Sequence, residues 1–349
     1  MVYLISQDWI NTSNNHAGIK YLCNQLADRY PLCYKSIYFP DYSEGKIRGC
    51  KLRNVANVIV QRLQHKQKEK EVLRYLYANI KDGDVVFVME YMEKSYEMFS
   101  FVRILRAKYP NLKIYCMAHL VPAKLNKQFH SNKELLAWCQ PIDKLFTLGN
   151  SLTLYFQSRG VNPEKIKTTF HYVDDYYFKQ GDIYPSDNLT VIAMGNQVRN
   201  IALLKQIVDL SPQFHFIICQ GMEDMSELFK TNRNVELIPF VSETELINFM
   251  EQSDISLNVM EDTIGSNVIV TSLAMGLAMI CSDVGSIRDY CNENNTIFCR
   301  NDCPRDFAEA LHAYTDNELL MKFKSESIKS AHRLTIEKFH LFLQKELNS

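Results

Sequence analysis

The chain has 349 residues, is 46% hydrophobic, and sets 39 Lys and Arg against 40 Asp and Glu for a net charge of −1. That length and apolar content supply two cores of ordinary size and exclude a disordered protein, and no apolar run approaches the roughly 20 residues of a membrane span. The near-neutral total hides a split, +10 up to Asp174 and −11 beyond it, which suggests an anionic partner for the first half and fits nucleic acid poorly, since no RNP-like segment, zinc finger or basic region with heptads accompanies it.

In chain order, MVYLISQDW opens with a strand over Val2–Ser6 and has neither a basic leader nor a small-residue cleavage site, so a cytoplasmic protein is expected. NTSNNHAGIKYL follows as a polar loop opening a helix, with His16 either functional or, as a lone loop histidine more often is, a surface residue. Further strands are expected at Ser36–Pro40, Val85–Glu90, Ile114–His119, Leu145–Leu148 and Ile166–Phe170. Gly49–Ile80 is helical in pattern, with Lys51, Arg53, Arg62, Lys66, Lys68 and Lys70 among Val, Leu and Tyr. A solvated basic face is the ordinary explanation; a peripheral contact with anionic lipid at the inner membrane face stays open. Asp82-Gly83-Asp84 precedes a strand and reads as a turn, and Asn150 or Ser151 caps the next helix.

Tyr176–Leu189, rich in Gly, Pro, Ser and Asp, reads as a linker. Beyond it, strands are expected at Thr190–Gly195, His215–Gln220, Val235–Phe240, Ile255–Met260, Ala278–Ser282 and Thr296–Arg300, and Glu318–Leu347 is helical. The 10 cysteines form no CxxC pair, and Cys299 and Cys303 have no companion cluster, so reduced thiols and no metal site are expected. Strands alternating with helices on both sides of a linker imply an α/β protein of two Rossmann-like domains, with parallel sheets facing a central cleft. The expected boundaries are 1–174, 175–330 and a C-terminal helix over 331–349.

The densest functional signal is Asp254–Ser286, DISLNVMEDTIGSNVIVTSLAMGLAMICSDVGS. It reads as a strand, a Gly-Ser turn, a helix, a second strand and a Gly turn. In such a unit Gly265 and Ser266 leave free backbone N–H groups at a positive helix end, where a phosphate or diphosphate docks without a metal. No Walker-type phosphate loop and no Gly-x-Ser-x-Gly elbow occurs, so kinase and hydrolase readings lack their residues.

This segment resembles family 4 (group 1) glycosyltransferases of the GT-B fold. Aligning on Leu273-Ala274-Met275-Gly276 places Thr271 where the family has the Glu that holds the nucleotide ribose, and Thr263 where it has the Glu that holds a sugar hydroxyl; Glu261 and Asp262 stand just upstream. Gly160-Val161, Lys165-Ile166, Val173-Asp174 and Phe178 match the family's crossing between domains, with His171-Tyr172 in place of its usual Asn-Gly. VIAMGNQVRNIALLKQIVDL is similar to the donor-phosphate loop: the resemblance implies a tight turn at Gly195, Asn196 where a second cation is frequent, and Arg199 in the role of the diphosphate-binding Lys.

By the same resemblance, Phe240 and Val241 lie beside the nucleotide base, and Gly265, Ser266, Asn267 and Val268 meet the diphosphate. Gly18 lies where the first domain approaches it, and His119 ends a strand where the family often has a His contacting the sugar, a satisfied buried histidine being the alternative. His119, Arg199 and Glu261 are the catalytic candidates. The implied activity is a hexosyltransferase-like, metal-independent transfer, with retention of configuration, from a nucleotide-diphosphate-sugar to a saccharide or lipid-linked saccharide hydroxyl. The donor is then a substrate, and no cofactor is implied. Terminal helices in this fold return toward the first domain. Two alternatives stay open: a catalytically inactive GT-B scaffold, motivated by Thr263 and Thr271, and a nucleotide-sugar epimerase, for which Glu261, Asp262 and Glu90 are the candidate acids and bases.

Overall fold

The computed structural model describes residues 1–9, 15–41, 51–94, 98–179, 181, 188–195, 198–221 and 223–347. It divides into two compact units, Met1–Leu148 with Thr153–Thr168, and Gly149–Leu152 with Thr169–Ser349. The boundary falls ahead of the expected Asp174, and half of the expected linker lies outside the described residues.

In the first unit β1 (Val2–Asp8), α1 (Ile19–Arg29), β2 (Tyr34–Pro40), α2 (Lys51–Asn79), β3 (Val85–Val88) and α3 (Met98–Lys108) are followed by β4 (Lys113–Ala118), α4 (Pro122–Gln128), α5 (Asn132–Cys139), β5 (Lys144–Thr147), α6 (Asn150–Ser158, whose first residues through Leu152 belong to the second unit) and β6 (Ile166–Thr168). The strands form one sheet in the order β2-β1-β3-β4-β5-β6. Every pairing is parallel, with Ile5 of β1 level with Ile37 of β2 and Val88 of β3. A parallel sheet covered on both faces needs strands apolar on both faces, and Val85, Val86, Phe87 and Val88 are all buried. α1 turns Leu22, Cys23 and Leu26 inward at helical spacing.

The second unit repeats the plan with β7 (Thr190–Ala193), α7 (Ile201–Leu210), β8 (His215–Gly221), α8 (Ser226–Phe229), β9 (Val235–Pro239), α9 (Glu243–Glu251), β10 (Ile255–Asn258), α10 (Asn267–Ala274), β11 (Ala278–Ser282), α11 (Ile287–Tyr290), β12 (Thr296–Cys299), α12 (Pro304–Ala313), α13 (Asn317–Ala331) and α14 (Ile336–Leu347). Its parallel sheet runs β12-β11-β10-β7-β8-β9. Val191, Leu204, Ile207, Phe216, Ile255, Ile280 and Phe307 form its core.

Each unit's first strand has its successor on one side and a later strand on the other. β1 lies between β2 and β3, and β7 between β8 and β10. In open parallel sheets such a switch point opens a crevice at the carboxyl ends of the strands, the usual ligand position.

Each expected strand is present, but several end early. Glu90, His119, Gly195, Met260 and Arg300, read as strand residues, lie just past the carboxyl edges. The expected helical stretch over Glu318–Leu347 is two helices, α13 and α14, the second lying within the C-terminal helix expected at 331–349. The break at His332–Thr335 lets the Leu334 carbonyl accept the Val173 N–H at 2.9 Å, and Thr335 Oγ1 then caps α14 by accepting the Lys338 N–H at 3.3 Å. α14 packs within the second unit, where Phe339 meets Phe170 edge to face at 5.9 Å.

Candidate functional site

The loops leaving β7 and β10, on either side of the second sheet's switch point, hold most of the residues singled out by sequence. The chain leaves β7 through Gly195, whose φ of +74° falls in the left-handed region; a Cβ there would come within 2.8 Å of Val268 Cγ2. Only glycine meets both demands. Val198 is also left-handed, at φ 59°, which costs a β-branched residue about 1–3 kcal/mol. Hydrogen bonds to the neighbouring loop hold it there: Val198 O accepts the Glu261 N–H at 2.8 Å and the Asn200 N–H donates to Val259 O at 3.0 Å. Arg199 and Met260 form an antiparallel bridge between the same two loops. Asn200 then caps α7, its side chain accepting the Leu203 N–H at 3.0 Å. Asn196 lies outside the described residues.

The Arg199 guanidinium lies over the strand ends, donating to Cys219 O at 3.1 Å and Ala193 O at 3.4 Å. Burial lowers its pKa to about 10, so it stays charged at neutral pH. Among the described residues no carboxylate stands within ion-pair distance of it. A cation held by backbone carbonyls, with further N–H groups to offer, is arranged to receive an anion.

On the β10 side Glu261 is exposed, and Asp262 is half-buried with its pKa raised by burial. Asp262 Oδ1 accepts the Thr263 N–H at 2.8 Å, and Thr263 Oγ1 accepts the Gly265 N–H at 3.1 Å. The expectation of a free Gly265 amide is thereby corrected. The free amides begin one residue later: among the described residues no acceptor meets the N–H groups of Ser266, Asn267 or Val268. Ser266 caps α10, its Oγ accepting the Ile269 N–H at 3.4 Å. Asn267 Oδ1 is buried beside them with no hydrogen-bond partner among the described residues.

Thr271 is 6% exposed and donates its hydroxyl to Asn267 O, four residues back, at 2.7 Å. Its proton serves its own helix, which leaves only oxygen lone pairs for a ligand. Phe240, 58% exposed, and Val241 follow the edge strand β9, with β8 between them and β7; they flank the loop pair rather than join it.

The first unit holds Gly18 and His119. Gly18 precedes α1 with φ −83°, and its N–H donates to Asn15 O at 2.9 Å. His119 is half-buried one residue past β4, and the His16 ring lies 4.3 Å from that of Tyr21. At this unit's own switch point is Glu90, just past β3. It accepts the Gln7 N–H at 3.1 Å and Trp9 Nε1–H at 2.8 Å, and burial raises its carboxyl to about 7.

Sequence reasoning missed the segment after β11. Ser286, Asp289 and Tyr290 each bond to a chain segment remote in sequence. The Gly-Ser pair at 285–286 was the one local sign of it.

Residues 189–317 match the family model for glycosyl transferases group 1. No curated protein matches the chain significantly in sequence. Among solved structures the chain is similar to HepE of Anabaena in complex with UDP, at 13% identity and a TM-score of 0.71, with 99% of each chain covered. It is also similar to sucrose-phosphate synthase from Thermosynechococcus elongatus, at 11% identity and a TM-score of 0.74, with both chains fully covered. A glycosyltransferase from Rickettsia africae is similar at 12% identity and a TM-score of 0.67, covering 100% of this chain and 98% of that one. The two six-stranded parallel sheets with their surrounding helices are the GT-B fold.

Proposed function

With residues 189–317 forming a group 1 glycosyltransferase domain, we propose that this enzyme moves a sugar from a nucleotide-diphosphate-sugar to a hydroxyl acceptor and binds the diphosphate at the β7–β10 switch point. One observation carries this reading. The buried Arg199 guanidinium, held by backbone carbonyls and in ion-pair contact with no carboxylate among the described residues, though Glu223 favours its charge from farther off, lies at the end of β7, and that loop is hydrogen-bonded to the one leading to the open amides of α10. A single anion with several oxygens suits both.

The chemistry follows from charge. When the bond between the anomeric carbon and the diphosphate breaks, negative charge grows on the leaving oxygen. Arg199 and the amides of Ser266, Asn267 and Val268 stabilise that charge more than the ground state, which lowers the barrier. No step calls for a metal, so turnover is expected to persist in a chelator. Glu261 is the exposed carboxylate nearest this loop in sequence. HepE binds UDP and UDP-glucose, which makes UDP-sugars the first donors to try.

A saccharide, free or lipid-linked, is the proposed acceptor class. α2 supports a lipid-linked one: Ile59, Val60 and Leu63 are 55%, 51% and 63% exposed, beside exposed Arg62, Lys66 and Lys70, a pairing suited to an anionic bilayer surface. Among the described residues no helix is long and apolar enough to cross a membrane. Sedimentation with vesicles containing anionic lipid should carry the wild type down and leave a Leu63→Glu variant in solution; equal partition would remove the membrane from the reading.

The test of the donor site is calorimetric titration of UDP, GDP, ADP and dTDP into wild type and Arg199→Ala, followed by turnover with UDP-glucose with and without chelator. One diphosphate should bind, and the variant should lose it. A folded wild type that binds none sinks the donor site and leaves an inactive scaffold. Conversion of the sugar nucleotide without any acceptor would identify an epimerase instead.

A further inference from the structure

The short helix α11 is where segments distant in sequence meet the α10 loop. Ser286, just before it, donates its N–H to Thr263 O at 2.7 Å. Tyr290, its last residue, is 1% exposed; its hydroxyl accepts the His171 N–H at 2.9 Å and donates to Ile264 O at 3.4 Å. Gly265, left-handed at φ +95°, lies on the Tyr290 ring so closely that a Cβ would be 2.3 Å from Cζ and from Oη. Three consecutive loop residues, Thr263, Ile264 and Gly265, therefore rest on this one segment.

The segment is itself anchored from the other side. Ser286 Oγ accepts the Ser151 N–H at 2.9 Å, and Asp289 accepts from the Asn150 N–H at 2.6 Å and from its Nδ2 at 2.8 Å. Arg333 donates to the Tyr290 carbonyl. Tyr290 is thus a fixed post, and its hydroxyl sits between two backbone groups of other loops.

We propose that Tyr290 is a positioning residue for diphosphate binding: its hydroxyl, bridging His171 and Ile264, sets where the amides of Ser266, Asn267 and Val268 stand. This rests on the donor-site reading given above. A buried hydroxyl that satisfies one donor and one acceptor cannot be removed without leaving both unpaired. The loop released at Ile264 then samples arrangements in which the three amides no longer converge. Apparent affinity falls in proportion to the fraction of molecules that keep the competent arrangement. A tie of one or two neutral hydrogen bonds sets that loss at about tenfold.

The experiment compares wild type, Tyr290→Phe and Tyr314→Phe by calorimetric titration with UDP, GDP, ADP and dTDP. Tyr314 is the control: it is equally buried, and its hydroxyl donates to Met279 O in β11 at 2.9 Å. Both variants remove a buried tyrosine hydroxyl and keep the ring, so a general loss of stability affects both. The expected result is about tenfold weaker binding of the preferred diphosphate by Tyr290→Phe alone. Binding unchanged in Tyr290→Phe, or weakened equally in both variants, overturns the positioning role while the donor site stands. A wild type that binds none of the four overturns the donor site, and this inference with it.

Discussion

The two units share a plan at the amino edges of their sheets and part company at the carboxyl edges. In each, an aspartate immediately before the strand beside the first strand ties the sheet together. Asp84, before β3, accepts from the Met1 amine at 2.8 Å and the Lys81 N–H at 2.9 Å. Asp254, before β10, accepts from Lys324 Nζ at 3.2 Å and the Thr190 N–H at 3.1 Å. At the opposite edge the first unit's switch point carries the Glu90 carboxyl held by two donors, and the second carries the Arg199 guanidinium and open amides. Neither follows from the net charges of the two halves: the basic half buries a carboxyl there and the acidic half a guanidinium. Net charge describes the solvated surface, whereas the charge a ligand meets is set by the few groups buried at the strand ends.

The largest effect expected from this comparison lies at the amino edges. Side chains of Lys324 and Asp254 are 3% and 8% exposed, so Lys324→Ala strands a buried carboxylate and should lower stability by about 3–5 kcal/mol. The Met1 amine is 33% exposed, so Asp84→Ala should cost about 1 kcal/mol or less from that ion pair. Equal losses in urea unfolding would break the distinction between a buried and a solvated tie.

At the carboxyl edges, Arg199→Ala should weaken diphosphate binding by about 2–3 kcal/mol, roughly 30- to 150-fold, whereas Glu90→Gln should leave it unchanged. A loss with Glu90→Gln would show that the anion is not confined to the second unit's groups.

Glu90 also makes a prediction about pH. Its folded pKa, raised from 4.5 to about 7 by burial, means that the folded state holds a proton that the unfolded state releases. Stability therefore falls as pH rises from about 4.5 to 7, by up to about 3 kcal/mol. Glu90→Gln should remove that slope from the first unit's unfolding. An unchanged slope would locate the proton elsewhere.

The smallest effect distinguishes the helix starts. Ser266 caps α10 through its side chain, whereas Gly18 at α1 makes no side-chain cap. Ser266→Ala should cost about 1 kcal/mol and Gly18→Ala a few tenths; a reversed order in thermal unfolding would mean that the loop before α10, rather than its cap, holds that helix.

The fold was highly legible in the sequence, the site much less so. VVFV and AMICS announce buried parallel strands because both faces of such a strand are apolar, whereas the edge strands β2 and β9 carry a weaker pattern with exposed positions. The Gly-Ser-Asn start of α10 and the Gly195 turn were legible because glycine and a capping serine act on their own backbone. The exact break between α13 and α14 was not legible because it answers to Val173, far away in the chain. Glu90 and Arg199 were named from the sequence, but their contacts and shifted pKa values depend on burial.

The amino-acid sequence by itself determined the order, type and approximate ends of the elements, since apolar periodicity, caps and turns act over a few neighbouring residues. Only the tertiary structure decided which amides stay open, that the Gly265 N–H is taken by Thr263, that Thr271 bonds its own helix, and that Tyr290 stands beneath the α10 loop. The Gly265 and Thr271 bonds are short in sequence, two and four residues apart, but which of several local acceptors each group takes is settled by the packed loop; the Tyr290 contacts join segments 26 and 119 positions apart, and no local pattern encodes such a meeting.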